Sequence, residues 1–433
     1  MIALVDCNSF FCSVERVFHP GLWGKPVCVL SNNDGIIVAL TPEAKRIGLH
    51  RGDPIFKVQD VVRRNSVAVF SGNMYLYAAM SRRIVSILRK SVMKVENYSI
   101  DESFCYMDGY GDPEKMMREI AQKIKLWTDI PVSVGIAPSK TLAKMGSKFA
   151  KNYKGYHDVC VIDTDEKRRK ALELFDLADV WGVGRRTYEK LRALGIDTPL
   201  QLADKKESWV KSHFTKPTYL TWLELNGVDC IDTTEKSKRQ TISTTRVFGE
   251  MISDLSSLKS SVSTFASSVA NKLRAQGSVC SEVSVFISSN TFREDLEQYG
   301  NWATYNFLVP TSDTTEIVHA ANLILERIFR PGIKYKRSGV WVGGIVDACP
   351  IQLNLFDPIS NRPERSELMR TVDSLNQRYG LKTIQLAVEG EREQAWKVKS
   401  EHKSPNYLTE LEDILVVGKQ SLEKNNDNHL SVG

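Results

Sequence analysis

The chain alternates short, β-branched apolar runs with longer stretches in which apolar residues recur every three or four positions. Over the first 165 residues the short runs are Ile2 to Asp6, Pro26 to Leu30, Gly35 to Ala39, Tyr98 to Met107, Pro131 to Ile136 and Val159 to Ile162, and each predicts a strand. Met74 to Met93 and Pro113 to Trp127 carry the spacing of amphipathic helices. An α+β sheet domain follows. The cluster Ser31-Asn-Asn-Asp-Gly35 between two of the runs predicts a turn or hairpin.

From Asp165 to about Asn226 the pattern turns helical. It contains Gly182-Val183-Gly184 followed by Arg185 and Arg186, which predicts two helices joined by a tight hairpin. Such a turn offers backbone N–H groups and a positive helix end to a phosphate. This is the helix-hairpin-helix arrangement, which grips a DNA backbone without reading bases; a plain helical hairpin is the alternative. Thr233 to Gln240 is polar and charged, as linkers are. Beyond it, Ile242 to Phe248, Glu282 to Ser288, Trp302 to Leu308 and Gly339 to Asp347 predict strands, and Leu255 to Gln276 and Thr315 to Phe329 predict helices. A second, smaller α+β domain accounts for them. Ala348 to Arg362 has no clear period but includes Gln352-Leu353-Asn354-Leu355-Phe356, an apolar peptide that either packs locally or docks into a partner's groove. The tail from Gly418 is polar enough to be disordered.

Length and composition agree with this division. A chain of 433 residues is too long for one ordinary core and predicts two to four domains. No run approaches the roughly 18 apolar residues of a membrane span, and Met1 to Val5 meets Asp6 too soon for a signal peptide. A cytoplasmic protein without a membrane partner is expected. The eight cysteines, at 7, 12, 28, 105, 160, 230, 280 and 349, show no paired spacing, so a zinc site or disulfide framework is not predicted. Net charge is only +6, yet Thr41 to Lys94 holds eleven Lys and Arg against Glu43, Asp53 and Asp60. That local excess suits a phosphate-bearing partner or a solvated basic face.

The candidate chemistry lies in Ser99-Ile100-Asp101-Glu102-Ser103, two adjacent carboxylates placed at the end of an apolar run. Asp6 closes another such run. If the two strands are neighbours, three like charges converge, an arrangement that calls for a hard cation between them.

With Ala3-Leu-Val-Asp-Cys-Asn-Ser-Phe-Phe11, Leu22-Trp-Gly-Lys-Pro26, Glu43-Ala-Lys45, Tyr98-Ser-Ile-Asp-Glu102, Lys140-Thr-Leu-Ala-Lys144, Val180-Trp-Gly-Val-Gly-Arg-Arg186 and the peptide at 352–356, the chain resembles the Y-family DNA polymerases in their UmuC-like branch, over roughly residues 1 to 415. The resemblance implies an α+β right hand: palm 1–30 and 72–165, fingers 31–71, helix-hairpin-helix thumb 166–232, linker 233–240, little finger 241–347, a C-terminal region 348–417 and a tail 418–433. It implies two Mg²⁺ ions held by Asp6, Asp101, Glu102 and the backbone carbonyl of Cys7, triphosphate contacts from Lys45 and Lys151, and Phe11 as the ring that rejects a ribose 2′-hydroxyl. Gly182, Gly184, Arg185 and Arg186 would hold DNA, and Gln352, Leu353, Leu355 and Phe356 the sliding clamp. The implied partners are primer-template DNA, dNTPs, a processed UmuD-like dimer, the RecA filament and the clamp. The implied activity is error-prone translesion synthesis in SOS mutagenesis.

Two positions depart from the family pattern: Pro42 stands where many members carry Tyr, and Ala39 where a Thr often touches phosphate. The family's triphosphate contacts there are not carried over. Two other readings share parts of the pattern. A catalytically weak, clamp-tethered accessory subunit would tolerate erosion of the carboxylates, lysines and gate, all of which stand. A palm-type nucleotidyl cyclase shares the carboxylates but leaves the hairpin and the clamp-like peptide without purpose.

Overall fold

The computed structural model describes residues 1–233, 238–349, 354–357, 359–380, 382–390 and 396–415. The chain forms two compact units, one of Met1–Glu235 with Glu401–Gly433 and the other of Lys236–Ser400. The expected tail from Gly418 and the peptide residues Gln352 and Leu353 lie outside the described residues.

The first unit runs β1 (Ile2–Cys7), α1 (Phe10–Phe18), β2 (Val27–Leu30), β3 (Ile37–Leu40), α2 (Pro42–Arg46), α3 (Gln59–Arg64), β4 (Ala68–Ser71), α4 (Met74–Ser91), β5 (Val95–Asn97), β6 (Glu102–Tyr106), α5 (Pro113–Thr128), β7 (Val132–Ala137), α6 (Lys140–Asn152) and β8 (Val159–Val161). Five helices then follow, α7 (Asp165–Leu174), α8 (Arg185–Ala193), α9 (Pro199–Ala203), α10 (Glu207–His213) and α11 (Lys216–Leu225). Its main sheet has the order β5-β6-β1-β7-β8, with β1 antiparallel to both neighbours. A three-stranded sheet, β3-β2-β4, stands on a core of its own around Cys28, Leu30, Ile37 and Leu49. The 31–36 segment does join β2 to β3, with Asn33 and Asp34 rather than Gly35 in the left-handed region.

The central strand explains how the site is built. Side chains alternate along a strand, and in β1 Ala3, Val5 and Cys7 enter the core with α4 and α5 while Ile2 and Leu4 face α6. Asp6, even-numbered, therefore belongs to the α6 face. The approach of α6 is unusually close because Gly135 of β7 and Gly146 of α6 meet backbone to backbone: a Cβ on Gly135 would lie 2.0 Å from the Ala143 carbonyl oxygen.

The second unit is a sheet, β9 (Ile242–Ile252), β10 (Ser278–Ser289), β11 (Gly300–Thr311), β12 (Tyr335–Gly343) and β13 (Val346–Asp347), with α12 (Leu255–Gln276) and α13 (Thr314–Ile328). Strands run β11-β10-β12-β9, with β13 pairing to β10. Both helices pack on one face, over Val283, Val285, Ile287, Val340 and Val342. A further helix, α14 (Arg362–Tyr379), is tied to this unit by Arg274–Asp373 and Arg365–Asp313 ion pairs, at 2.6 and 2.8 Å. The sequence names no helix within the C-terminal region 348–417, and α14 buries only Met369.

Candidate active site

β1 and β6 pair so that Asp6 lies opposite Glu102. The Cys7 N–H donates to the Asp101 carbonyl at 2.9 Å, so the three acidic residues are fixed within two rungs of one ladder. The carboxylate pair, however, begins its strand instead of ending one. The run Tyr98 to Met107 is not a continuous strand, because Ser99 Oγ accepts from the Asp101 and Glu102 N–H groups at 3.2 and 3.0 Å and bends the chain ahead of β6. A hydroxyl bonded to backbone two and three residues on is a turn-former, and it overrides the apolar pattern.

Each carboxylate has a partner. Lys151 Nζ donates to Asp6 Oδ2 at 2.8 Å, Lys144 Nζ to Glu102 Oε1 at 2.6 Å, and Ser99 Oγ to Asp101 Oδ1 at 2.6 Å. Both lysines lie on α6 seven residues apart, two turns along one helix face. Spacing alone does not single out Lys144, because Lys148 lies three residues from Lys151 on the same helix and pairs with Asp179 instead; the sequence names Lys144 only within a family block. Its ammonium also sits 4.5 Å from the Tyr98 ring centroid and 5.4 Å from that of Trp181, a cage that holds it in place. Burial pushes the Asp6 carboxyl above its ordinary value, Lys151 draws it down, and the nearby Glu102 and Asp101 charges push it up again.

Among the described residues no three His, Cys, Asp or Glu side chains are gathered, as they stand, into a set that could hold one ion. The partners above are the reason: Asp6 and Glu102 answer lysines and Asp101 answers Ser99. The donor set itself fits a hard divalent cation, since it is all carboxylate oxygen and the Glu102 and Asp101 charges push the Asp6 carboxyl up.

The turn that leaves β1 carries Ser9 in the left-handed region and starts α1 at Phe10. Phe11 therefore stands five residues beyond Asp6, with its ring stacked on Tyr77 at 4.5 Å and 15°. Lys45 is exposed in α2 and takes no part in the contacts of the carboxylate cluster. Pro42 is the first residue of α2, capped by Thr41, whose side chain accepts from the Ala44 N–H; proline suits that place because its missing N–H is not needed.

The hairpin departs from two full helices. Its first member is a single 3-10 turn, Leu177–Asp179, because Asp176 caps Ala178 and Gly182, at φ +94°, ends the rise at once. Gly182 is doubly required, as a Cβ there would lie 2.1 Å from Thr221 Oγ1. Gly184 precedes α8, which opens with exposed Arg185 and Arg186; Arg185 pairs with Glu189 at 2.8 Å. Of the peptide at 352–356, the described Leu355 and Phe356 are 92% and 78% exposed. The eight cysteines are free thiols, six of them buried.

The architecture matches solved Y-family DNA polymerases. A Y-family DNA polymerase chimera of Dbh and Dpo4 superposes with a TM-score of 0.62 at 23% identity, covering 80% of this chain and all of that one. Residues 5–148 match the impB/mucB/samB family, residues 239–355 the C-terminal domain of that family, and residues 366–417 a domain of unknown function, DUF4113. The chain is 39% identical to Protein UmuC of Salmonella typhimurium, over 96% of this chain and 100% of that one, and 37% identical to Protein ImpB of Salmonella typhimurium, over 96% and 99%. DNA polymerase IV of Dehalococcoides mccartyi is 28% identical over 88% of this chain and 95% of its own length. The chain belongs to the impB/mucB/samB family and is UmuC-like.

Proposed function

We infer that the chain is a DNA-directed DNA polymerase that adds deoxynucleotides across damaged template bases, an error-prone translesion enzyme of the SOS response. One observation carries the reading: Asp6 stands opposite Glu102 on the central strands, with Asp101 adjacent and Phe11 delivered by the same strand's exit. Asp6, Asp101 and Glu102 would hold two Mg²⁺ ions with the Cys7 carbonyl. When bound, the ions supply positive charge for the primer 3′-oxygen and the departing pyrophosphate.

The chain's own residues do the rest. Lys151 and Lys45 would bind the triphosphate as point charges, for which lysine suffices. Lys151 must then exchange Asp6 for phosphate, which is feasible for a partly exposed pair at 2.8 Å. Lys144 neutralises Glu102 from the other end of the same helix face. The Phe11 ring would exclude a 2′-hydroxyl by volume. For binding to primer-template DNA, Gly182, Gly184, Arg185 and Arg186 would hold phosphates. The second unit, taken by itself, has an outward sheet face carrying Trp302, Phe286 and Trp341, with Arg337 5.1 Å over Phe286, which would suit a nucleic-acid strand.

We assign 1–30 and 72–165 to a palm, 31–71 to fingers, 166–232 to a thumb and 241–347 to a little finger. The remaining assignments follow the UmuC-like likeness: docking on the sliding clamp through the peptide at 352–356, assembly with a processed UmuD-like dimer and the RecA filament, and a cytoplasmic setting. Among the described residues no helix is long and apolar enough to cross a membrane.

Primer extension on templates with and without an abasic site tests the reading. Asp101→Asn is expected to abolish extension, by at least about a thousandfold, because it removes one charge from a metal-binding trio. Duplex binding should persist. Extension at the wild-type rate by the purified variant would sink the assignment.

A further inference from the structure

We propose that the returning C-terminal segment, residues 401–407, positions the sugar gate through Ser404, Glu15 and Tyr77. The proposal rests on Phe11 acting as that gate. Residues 401–407 fall in the stretch 366–417, whose family description names no function.

The segment is stitched to the first unit along its length. The Glu401 N–H donates to Asp34 Oδ2 at 2.8 Å. Ser71 and residue His402 exchange two bonds, Ser71 N–H to the His402 carbonyl and His402 N–H to Ser71 Oγ, both at 2.9 Å. Asn73 Nδ2 donates to the Ser404 carbonyl at 2.8 Å while its Oδ1 caps α4 through the Leu76 N–H. The Tyr407 ring stacks on Phe18 at 4.7 Å and is counted in the main core. This is a seated strap.

Its centre reaches the gate in two steps. Ser404, 3% exposed, donates from Oγ to Glu15 Oε1 at 3.0 Å, and Tyr77 Oη donates to the same oxygen at 2.7 Å. The Tyr77 ring in turn carries the Phe11 ring, face to face. Phe11 and Glu15 are four residues apart on α1 and so share a helix face. Ring stacking fixes a plane and leaves sliding free, whereas a hydroxyl anchored to a carboxyl that is itself held by Ser404 fixes the position within that plane. A gate that separates two sugars differing by one oxygen depends on that position, since misplacement by about 1 Å can cost a hundredfold. Ser404, Glu15 and Tyr77 are thus positioning residues for nucleotide selection.

The test is single-nucleotide incorporation by the full chain with matched dNTP and rNTP, read as the ratio of the two kcat/KM values. Ser404→Ala and Tyr77→Phe should each raise relative ribonucleotide use about three- to tenfold, the span of one neutral hydrogen bond, chiefly through the ribonucleotide KM. Glu15→Gln keeps an oxygen that accepts both hydroxyls and should stay nearer the wild type. Added to Phe11→Ala, which itself should admit ribonucleotides, Ser404→Ala should change nothing further. If Phe11→Ala raises the ratio and neither Ser404→Ala nor Tyr77→Phe does, the strap has no such role and the gate reading stands. Equal loss for both nucleotides in Ser404→Ala would reduce the strap to packing and overturn the proposal. An unchanged ratio in Phe11→Ala would remove the gate reading and the proposal with it.

Discussion

Glu15 is fully buried, and its Oε2 has no hydrogen-bond partner among the described residues. Burial pushes its carboxyl from 4.5 up to about 7, against the hydrogen bonds from Tyr77 and Ser404, which draw it down. The phenols and the thiol around it stay neutral over that range: burial pushes Tyr77 and Cys12 far up and Tyr407 to about 12. Because the folded value is the higher one, the folded state binds the proton more tightly than the unfolded chain. The stabilisation is complete below 4.5, falls as pH rises, and is gone above about 7. The span is on the order of 3 kcal/mol. Denaturant midpoints between pH 5 and 8 should therefore decline in the wild type and stay flatter in Glu15→Gln; parallel curves would show that Glu15 does not take up a proton on folding. Nothing in the local sequence marks this glutamate, since its partners lie 62 and 389 positions away. Lys144 is no easier to find, since Lys148 also lies near Lys151 on α6 and pairs with Asp179 instead.

Among elements, some are read with their bounds and others are missed, α1 and α6 among them despite their amphipathic spacing. The helix over Leu255–Gln276 has the bounds its apolar spacing predicts, and the strand at Ile2 is one residue longer than read. Strands β4 and β5, four and three residues long, are missed as well. Helix α14 escapes because ion pairs hold it and only Met369 is buried, so no apolar stripe exists to be seen. The placement of α6 is a different matter. A Gly135 and a Gly146 are plain in the chain, but their meeting is tertiary. Gly135→Ala would set a methyl 2.0 Å from one backbone oxygen and 2.1 Å from the Ser147 nitrogen, atoms that cannot rotate away. The expected result is destabilisation by about 3 kcal/mol in denaturant melts, with weakened dNTP binding as Lys144 and Lys151 shift from the carboxylates. A loss under about 0.5 kcal/mol, the scale of an ordinary surface change, would mean that α6 is free to retreat.

At the scale of the whole molecule, two units with separate cores carry a net charge of only +6 across 433 residues. Phosphate contacts supply most sequence-independent DNA affinity, and it falls steeply with salt. So small an excess, with several basic side chains already paired to acids, predicts a weak grip and a short stay on the primer end. The proposed clamp tether would offset this by raising the local concentration without any new contact to DNA. Leu355 and Phe356 suit that purpose, because two large apolar side chains left 92% and 78% exposed find no burial within the described chain. Replacing both with Ala should remove most of the stimulation that a loaded clamp gives, at least about tenfold, measured as product length on a primed circle with and without clamp. The stimulation should be larger, and its loss more severe, at higher salt, where unaided binding fades first. Equal loss in the presence and absence of clamp would instead place the pair in packing and leave the tether to another segment.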